Sequence, residues 1–290
     1  MKVAVRGYLE LLRPPNVVTA IADVLAGYAV AGRGQGSRLP WLLAATVCLY
    51  AGGVVLNDFF DRAVDASERP ERPIPSGRVT AAHAGALGGA LLAAGVALAF
   101  GATRTAGAVA LALAAGILLY DARAKRHAFA GPLAMGVCRG LNVVLGMAAL
   151  PGAAAGHWSI ALLSVAYIGA VTMVSRGEVH GGKKAVAAIA MAVLGAVVAA
   201  LVLIALRSSG WPVPALVLAA ALAWRVGPPF GAVYVDPRPA VIRRAVKAGV
   251  LSLVLLDAAL SAAYAGPAYA AIVLATALVA GSLARLFSVT

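Results

Sequence analysis

The sequence has few charged residues, because aspartate, glutamate, lysine and arginine together make up only 12 % of its 290 residues. A soluble domain carries about twice that share. Apolar residues reach 62 % and the mean hydropathy is +0.91. We therefore predict a polytopic membrane protein in which nearly the whole chain forms transmembrane segments. Although basic residues outnumber acidic ones by 24 to 11, we expect no nucleic-acid partner, since no polar domain is present to bind one.

Cysteine is also scarce. The two cysteines, Cys48 and Cys138, both lie inside apolar segments and are not spaced as a ligand pair. Their position argues against a disulfide framework and against a zinc site.

The apolar residues form ten segments, which we predict to be helices because a helix satisfies its own backbone hydrogen bonds in lipid. A short basic, amphipathic stretch at 1–13 precedes them. The segment at 211–225 is short for a complete span, and Gly227-Pro228-Pro229 follow it. The ten segments are at about 14–32, 40–57, 82–100, 105–120, 131–150, 157–175, 186–206, 211–225, 246–265 and 268–287. We treat residues 1–290 as a single all-α transmembrane domain.

Basic residues are distributed unevenly between alternate loops. With the N-terminus inside, one set of loops contains 19 of the 24 lysines and arginines, and Arg139 lies within a segment. The opposite loops contain only Arg33, Arg38, Arg104 and Arg207. Because basic residues collect in cytoplasmic loops, we predict a multi-pass protein of the cytoplasmic membrane with both termini on the cytoplasmic side.

Residues 57–80 (NDFFDRAVDASERPERPIPSGRVT) contain five of the eleven acidic residues. Asp58, Asp61 and Asp65 follow an i, i+3, i+7 spacing, which places them within an arc of roughly 60° on one helix face. Mg²⁺ prefers such hard oxygen ligands, and like charges this close repel one another without a cation. The alternative is a solvated helix end whose acids pair with neighbouring arginines. The predicted ligands are Asn57, Asp58, Asp61 and Asp65.

Basic residues that suit a diphosphate follow this acidic face. Prolines break the helix after it, and the resulting loop contains Arg72 and Arg78, whose guanidinium groups match phosphate oxygens. A second polar group follows the fourth segment, where Lys125 and Arg126 could hold the same diphosphate and Tyr120 could line a pocket. Topological anchoring explains any single arginine of the loop equally well, but Arg72 and Arg78 together favour a ligand site. For the second group, anchoring by basic and aromatic residues and a ligand site are about equally good explanations.

A third polar group, SRGEVHGGKK at 175–184, follows the sixth segment, and Glu178 is the carboxylate there that could join a second metal. His180 is more simply explained as part of a solvated loop. Polar residues also occur within the segments, and they mark either a site or a structural ion pair. These residues are Asn16, Asp23, Arg139, Asn142 and Asp257.

Four of these elements resemble motifs of the UbiA superfamily of intramembrane prenyltransferases. Residues 57–65 resemble its N-D-x-x-D-x-x-x-D motif, and RPERPIPSG after them resembles its R-P-x-R-P-x-P-S-G loop. Arg13-Pro14-Pro15-Asn16 is similar to its R-P-x-N, and Tyr120 with Lys125 is similar to its Y…K element. SRGEVHGG replaces the usual second motif, D-x-x-x-D, and the sequence around it looks most similar to the EboC-type subgroup.

The resemblance implies a polytopic membrane helical bundle of nine to ten transmembrane helices, since the family core has nine. It also implies Mg²⁺-dependent ionisation of an allylic polyprenyl diphosphate and transfer of the prenyl group to a lipophilic or aromatic acceptor in the bilayer. The reduced second motif motivates an alternative, a non-catalytic protein that binds or transports an isoprenoid. The implied catalytic residues are Asp58, Asp61 and Asp65; the metal ligands are these with Asn57 and Glu178; the diphosphate ligands are Arg72, Arg78, Lys125 and Arg126; and the pocket residues are Asn16 and Tyr120.

Overall fold

The structure is a computed structural model, and it describes residues 2–32, 36–150, 152–208, 210–283 and 285. In this part of the chain every regular element is helical, as predicted. Three short 3₁₀ turns connect some of the helices. The α-helices are α1 (Lys2–Leu12), α2 (Pro14–Val30), α3 (Leu39–Glu68), α4 (Ala81–Ala102), α5 (Arg104–Ala122), α6 (Ala130–Met147), α7 (Ala153–His157), α8 (Ala161–Ser175), α9 (Lys184–Arg207), α10 (Pro212–Val235), α11 (Pro239–Ala265) and α12 (Pro267–Leu283).

Nine of the ten predicted segments each correspond to one helix. The segment at 157–175 covers the last residue of α7, a 3₁₀ turn and the whole of α8. Among the described residues, eight helical stretches are long and apolar enough to cross a membrane. Helices α2 and α12 have 17 residues each, which is at the lower limit for a span, and they pack against each other within the bundle. The predicted all-α membrane bundle is thus confirmed.

Two details of the segment prediction need correction. Helix α10 continues through Pro228 and Pro229 to Val235, well beyond the predicted segment at 211–225. Prolines are tolerated inside membrane helices when other groups satisfy the backbone carbonyls that lose a hydrogen bond. Arg225 is one of the 19 basic residues that the sequence assigns to the cytoplasmic loops, but the structure places it as an exposed residue inside α10. Arg33 and positions 284, 286 and 287 of the last predicted segment lie outside the described residues.

The two largest apolar clusters form most of the core. One is built from helices α2 to α6 and includes Leu49 and Met147; the other is built from α8 to α11 and includes Tyr167 and Phe230. Helices α2 and α6 cross so closely that a Cβ added at Gly27 would lie 1.9 Å from the carbonyl oxygen of Val143. Small residues permit such close helix packing in a membrane protein. Helix α11 contacts α2 and thereby joins the two clusters.

The loops that carry the sequence motifs meet at one end of the bundle, which we call the motif end. Arg176 after α8 donates to the carbonyl oxygen of Lys125 after α5 (3.0 Å), and Lys125 Nζ donates to Oδ1 of Asn57 on α3 (3.1 Å). The backbone N–H of Gly182 donates to the carbonyl oxygen of Pro237 (2.9 Å). Chain segments far apart in sequence are therefore adjacent there.

Candidate functional site

The acidic residues project from the last turns of α3, which continues unbroken to Glu68. Asp58 and Asp65 are each only 4 % exposed, whereas Asp61 is partly exposed. The predicted helix face therefore exists, and two of its three carboxylates are buried. Burying an ionised carboxylate requires a compensating charge close by.

Arg72 supplies that charge to both buried carboxylates. Its Nη1 donates to Oδ2 of Asp65 at 2.8 Å and to Oδ1 of Asp58 at 3.3 Å. The proline-rich loop after α3 makes this possible, because backbone hydrogen bonds from Ser76 to Arg72 and from Val79 to Pro73 fold it back in tight turns. Arg72 thus bridges the first and last aspartates of the motif.

Arg13 supplies a second cation to Asp58, a role that the sequence motifs did not predict. It separates α1 from α2 in the left-handed conformation (φ 44°), which is uncommon for a residue other than glycine, and its Nη2 donates to Oδ1 of Asp58. The available signal was an arginine directly before Pro14-Pro15, where a helix is forced to break. Asn16 follows in the first turn of α2, and its N–H donates to the Arg13 carbonyl oxygen (2.9 Å).

Lys125 completes the set of cations. Its Nζ lies 2.7 Å from Oδ1 of Asp61 and also donates to Asn57, as described above. Tyr120 lies in the last turn of α5, and its phenol group is close enough to Asp61 and Arg176 to interact electrostatically with both. The structure therefore brings together Tyr120, Lys125 and the acidic face, as the sequence predicted.

Asp121 is a second residue at this site that the sequence motifs did not predict. It is 2 % exposed, and its Oδ2 is buried without a hydrogen-bond partner among the described residues. The charges that act on it are those of Lys125, Asp61, Asp58 and Arg13. The signal in the sequence was its position between Tyr120 and Lys125. The basic residues of this group suggested a phosphate site, and a single carboxylate among them did not indicate a metal ligand.

Three predicted residues are engaged elsewhere. Arg78 donates to Oε2 of Glu10 on α1 (2.5 Å) and to the Glu71 carbonyl oxygen (2.6 Å), so it fastens α1 to the loop. Arg126 is exposed on the 3₁₀ turn after α5. Glu178 forms no ion pair with any described residue; burial raises the pKa of its carboxyl group, while Arg69 and Arg243 oppose that rise.

The donor set fits Mg²⁺ chemically, although within the described ranges no three acidic, histidine or cysteine residues are arranged to hold a metal ion. The carboxylates do not converge on one point because Asp58, Asp61 and Asp65 are each paired with a base. Carboxylate and amide oxygens are suitable Mg²⁺ ligands, and the unpartnered oxygen of Asp121 belongs to the same group of charges. The neighbouring bases match the anionic oxygens of a phosphate.

The chain is similar to proteins of a known family. The model of the UbiA prenyltransferase family matches residues 20–227. The digeranylgeranylglyceryl phosphate synthase of Methanopyrus kandleri is similar to this chain, with 42 % identity over 122 residues, which are 41 % of this chain and 44 % of that protein. The chain spans about half the length of the curated relatives it matches.

Solved structures show the same fold. One from a study of digeranylgeranylglyceryl phosphate synthase in membranes is similar with a TM-score of 0.69 and 20 % identity, covering 91 % of this chain and 99 % of that one. A UbiA homolog from Archaeoglobus fulgidus bound to GPP and Mg²⁺ has a TM-score of 0.67 and 15 % identity, covering 93 % and 99 %. At these identities the likeness concerns the fold alone.

Proposed function

The chain belongs to the UbiA prenyltransferase family, and on that premise we propose that it is a Mg²⁺-dependent intramembrane prenyltransferase. In this proposal it ionises an allylic polyprenyl diphosphate at the motif end of the bundle and transfers the prenyl group to a lipophilic acceptor. The single observation that carries the proposal is the meeting of four carboxylates with three cations at one end of the bundle. The carboxylates are Asp58, Asp61, Asp65 and Asp121, and the cations are Arg13, Arg72 and Lys125.

The charges of this site suit a ligand that brings cations and anions together. In the structure, Arg13, Arg72 and Lys125 form ion pairs with three of the four aspartates. With a metal–diphosphate bound, the carboxylate and amide oxygens would hold Mg²⁺ and the same bases would contact diphosphate oxygens. In this exchange the metal takes over the carboxylates while the bases move to phosphate oxygens, so the buried groups would keep partners of opposite charge. We propose Arg78, Arg126 and Glu178 as more distant contributors, because other contacts occupy them or solvent surrounds them.

The chemical step is the heterolysis of the allylic C–O bond, in which diphosphate leaves with the electron pair and the acceptor then adds to the allylic carbon and loses a proton. When bound, Mg²⁺ supplies Lewis-acid stabilisation of the leaving diphosphate. The contribution of Arg72 and Lys125 is to hold the diphosphate oxygens through charge-assisted hydrogen bonds. The apolar helices exclude water, which would otherwise capture the carbocation.

The acceptor, the subgroup and the orientation are finer parts of the proposal. The similar relatives are named as synthases of a prenylated glyceryl phosphate, which supports a lipophilic hydroxyl acceptor, and an aromatic acceptor is the second class to test. The unusual third polar group supports membership of the EboC-type subgroup. The concentration of basic residues at the motif end supports a cytoplasmic location of the site and of both termini.

The test is Mg²⁺-dependent release of diphosphate from geranylgeranyl diphosphate by protein in lipid nanodiscs, with glyceryl and aromatic acceptors supplied in parallel. We expect Asp61→Asn to lower kcat/KM by about 100-fold or more, because it removes a charged ligand from the leaving-group site. Asp236→Asn is the matched control, since Asp236 is at the same end of the bundle but forms only an exposed pair with Arg238.

Two results would count against the proposal. Equal activity of Asp61→Asn and Asp236→Asn would show that the acidic face does not take part in the reaction. Saturable binding of the diphosphate by the unmodified protein, without release in the presence of any acceptor, would instead favour the non-catalytic isoprenoid-binding protein that the reduced second motif suggests.

A further inference from the structure

A second polar cluster lies deep in the bundle, where α11 contacts α2 and joins the two apolar clusters. Asp23 of α2 and Asp257 of α11 are both 0 % exposed, and Arg139 of α6 is 6 % exposed. None of these residues belongs to the diphosphate site. Ionisable groups are costly at such depth in a membrane protein and are retained only with compensating partners.

One oxygen of this cluster is fully satisfied. Arg139 Nε lies 3.0 Å from Oδ2 of Asp23, and the side-chain amide of Asn142 donates to the same oxygen at 2.9 Å. Thr46 of α3 donates to Oδ1 of Asn142 (2.7 Å), and Arg139 Nη2 donates to Oγ1 of Thr19 (2.9 Å). Asp23 and Arg139 therefore form an ion pair, in which Arg139 Nε is close to the carboxylate oxygen without hydrogen-bond geometry.

Three carboxyl oxygens of the cluster are not satisfied. Oδ1 of Asp23 and both side-chain oxygens of Asp257 are buried without a hydrogen-bond donor in the described part of the chain. The carboxyl groups of Asp23 and Asp257 nevertheless lie within hydrogen-bonding reach of each other. Two ionised carboxylates repel each other at such a distance, whereas a carboxylic acid and a carboxylate attract each other by sharing a proton.

The charges lead to the same conclusion. Two ionised carboxylates and one guanidinium would leave one uncompensated negative charge in the middle of the bundle, which is strongly unfavourable. We propose that Asp23 and Asp257 form a buried proton-binding site, in which one proton joins Oδ1 of Asp23 to the carboxyl group of Asp257. The cluster is then neutral, with Asp23 paired to Arg139 and Asp257 protonated.

The surroundings favour a proton over a metal ion as the ligand. The site contributes only two carboxyl groups, and the described residues contain no larger group of metal-ligating side chains. The other side chains that contact Asp23 and Arg139 in the described helices are neutral, namely Thr19 of α2, Tyr50 of α3 and Asn142 of α6. Tyr167 of α8, near Asp257, is neutral as well and donates to the carbonyl oxygen of Gly249.

The test compares amide and apolar replacements of Asp257. The side-chain amide introduced by Asp257→Asn would donate to Asp23 as the acid does, so we expect the Tm of this variant to stay within about 2 °C of the unmodified protein. Asp257→Leu removes the donor and leaves Asp23 Oδ1 unsatisfied, so we expect a fall of about 5 °C. Infrared spectra in nanodiscs at neutral pH should show the C=O band of a protonated carboxylic acid that is lost in Asp257→Asn.

Asp121→Asn is the control for that band, because Asp121 is another buried aspartate but lies at the motif end; its replacement should leave the Asp257 contribution in place. A Tm of Asp257→Asn that falls as far as that of Asp257→Leu, or a failure to fold, would overturn the proposal. So would an unchanged infrared band, or a sodium-dependent rise in the Tm of the unmodified protein that Asp257→Asn abolishes, because the latter would identify a cation site.

Discussion

Arg72 is the principal counter-charge of the acidic face, and replacing it by glutamine should reveal the energetic cost of burying these carboxylates. Its guanidinium contacts Asp65 at 2.8 Å and Asp58 at 3.3 Å. Asp58 would keep Arg13 as a partner, but Asp65 forms no other ion pair in the described chain. Arg72→Gln therefore leaves one buried carboxylate, 4 % exposed, without a cation.

The magnitude follows from the burial of the pair. Two unit charges about 4 Å apart attract by about 4 kcal/mol at the effective dielectric of a partly buried site, and removal of one partner of a buried pair costs about 3–5 kcal/mol. This corresponds to a fall in Tm of about 10 °C for a chain of this size. Arg78→Gln is the matched control, since its pair with Glu10 is 26 % and 22 % exposed and should contribute no more than about 1 kcal/mol.

The assay is intrinsic tryptophan fluorescence during thermal unfolding in nanodiscs, with and without Mg²⁺. We expect Mg²⁺ to raise the Tm of Arg72→Gln more than that of the unmodified protein, because the dication replaces the guanidinium charge that Asp65 has lost. Equal falls in Tm for Arg72→Gln and Arg78→Gln would refute the assignment of Arg72 as the principal counter-charge. A Mg²⁺ effect of the same size in all three proteins would refute metal binding at this face.

Two further predictions concern ligand choice and helix packing. Asp121→Asn should weaken Mn²⁺ binding by about tenfold, measured by electron paramagnetic resonance, because Asp121 has the unpartnered oxygen beside the aspartates. Glu178→Gln should weaken Mn²⁺ binding less. A larger effect of Glu178→Gln than of Asp121→Asn would instead identify Glu178 as the ligand of a second metal. Gly27→Ala should lower stability by about 1–3 kcal/mol in thermal unfolding, because the added Cβ would meet Val143. Gly195→Ala, where the Cβ meets nothing within 4 Å, is its control, and equal effects would contradict the close crossing.

Helical periodicity alone predicts much of the candidate site. The spacing of Asp58, Asp61 and Asp65 places them on one face because the turn of a helix is fixed by its backbone. The sequence also locates Lys125, since basic residues after a span must lie near the membrane surface. The roles of Asp121 and Arg13 could not be predicted in this way, because burial and the approach of distant segments are not properties of local spacing.

The sequence by itself determined that the chain is an all-α membrane protein with a chemically unusual acidic stretch, because hydropathy and helical spacing are local properties. Only the tertiary structure decided how the charges are partnered. Arg72 contacts two aspartates and Arg78 contacts Glu10, although both arginines belong to the same loop. The tertiary structure also brought Asp23 and Asp257 together across the bundle, since long-range contacts depend on how the helices pack.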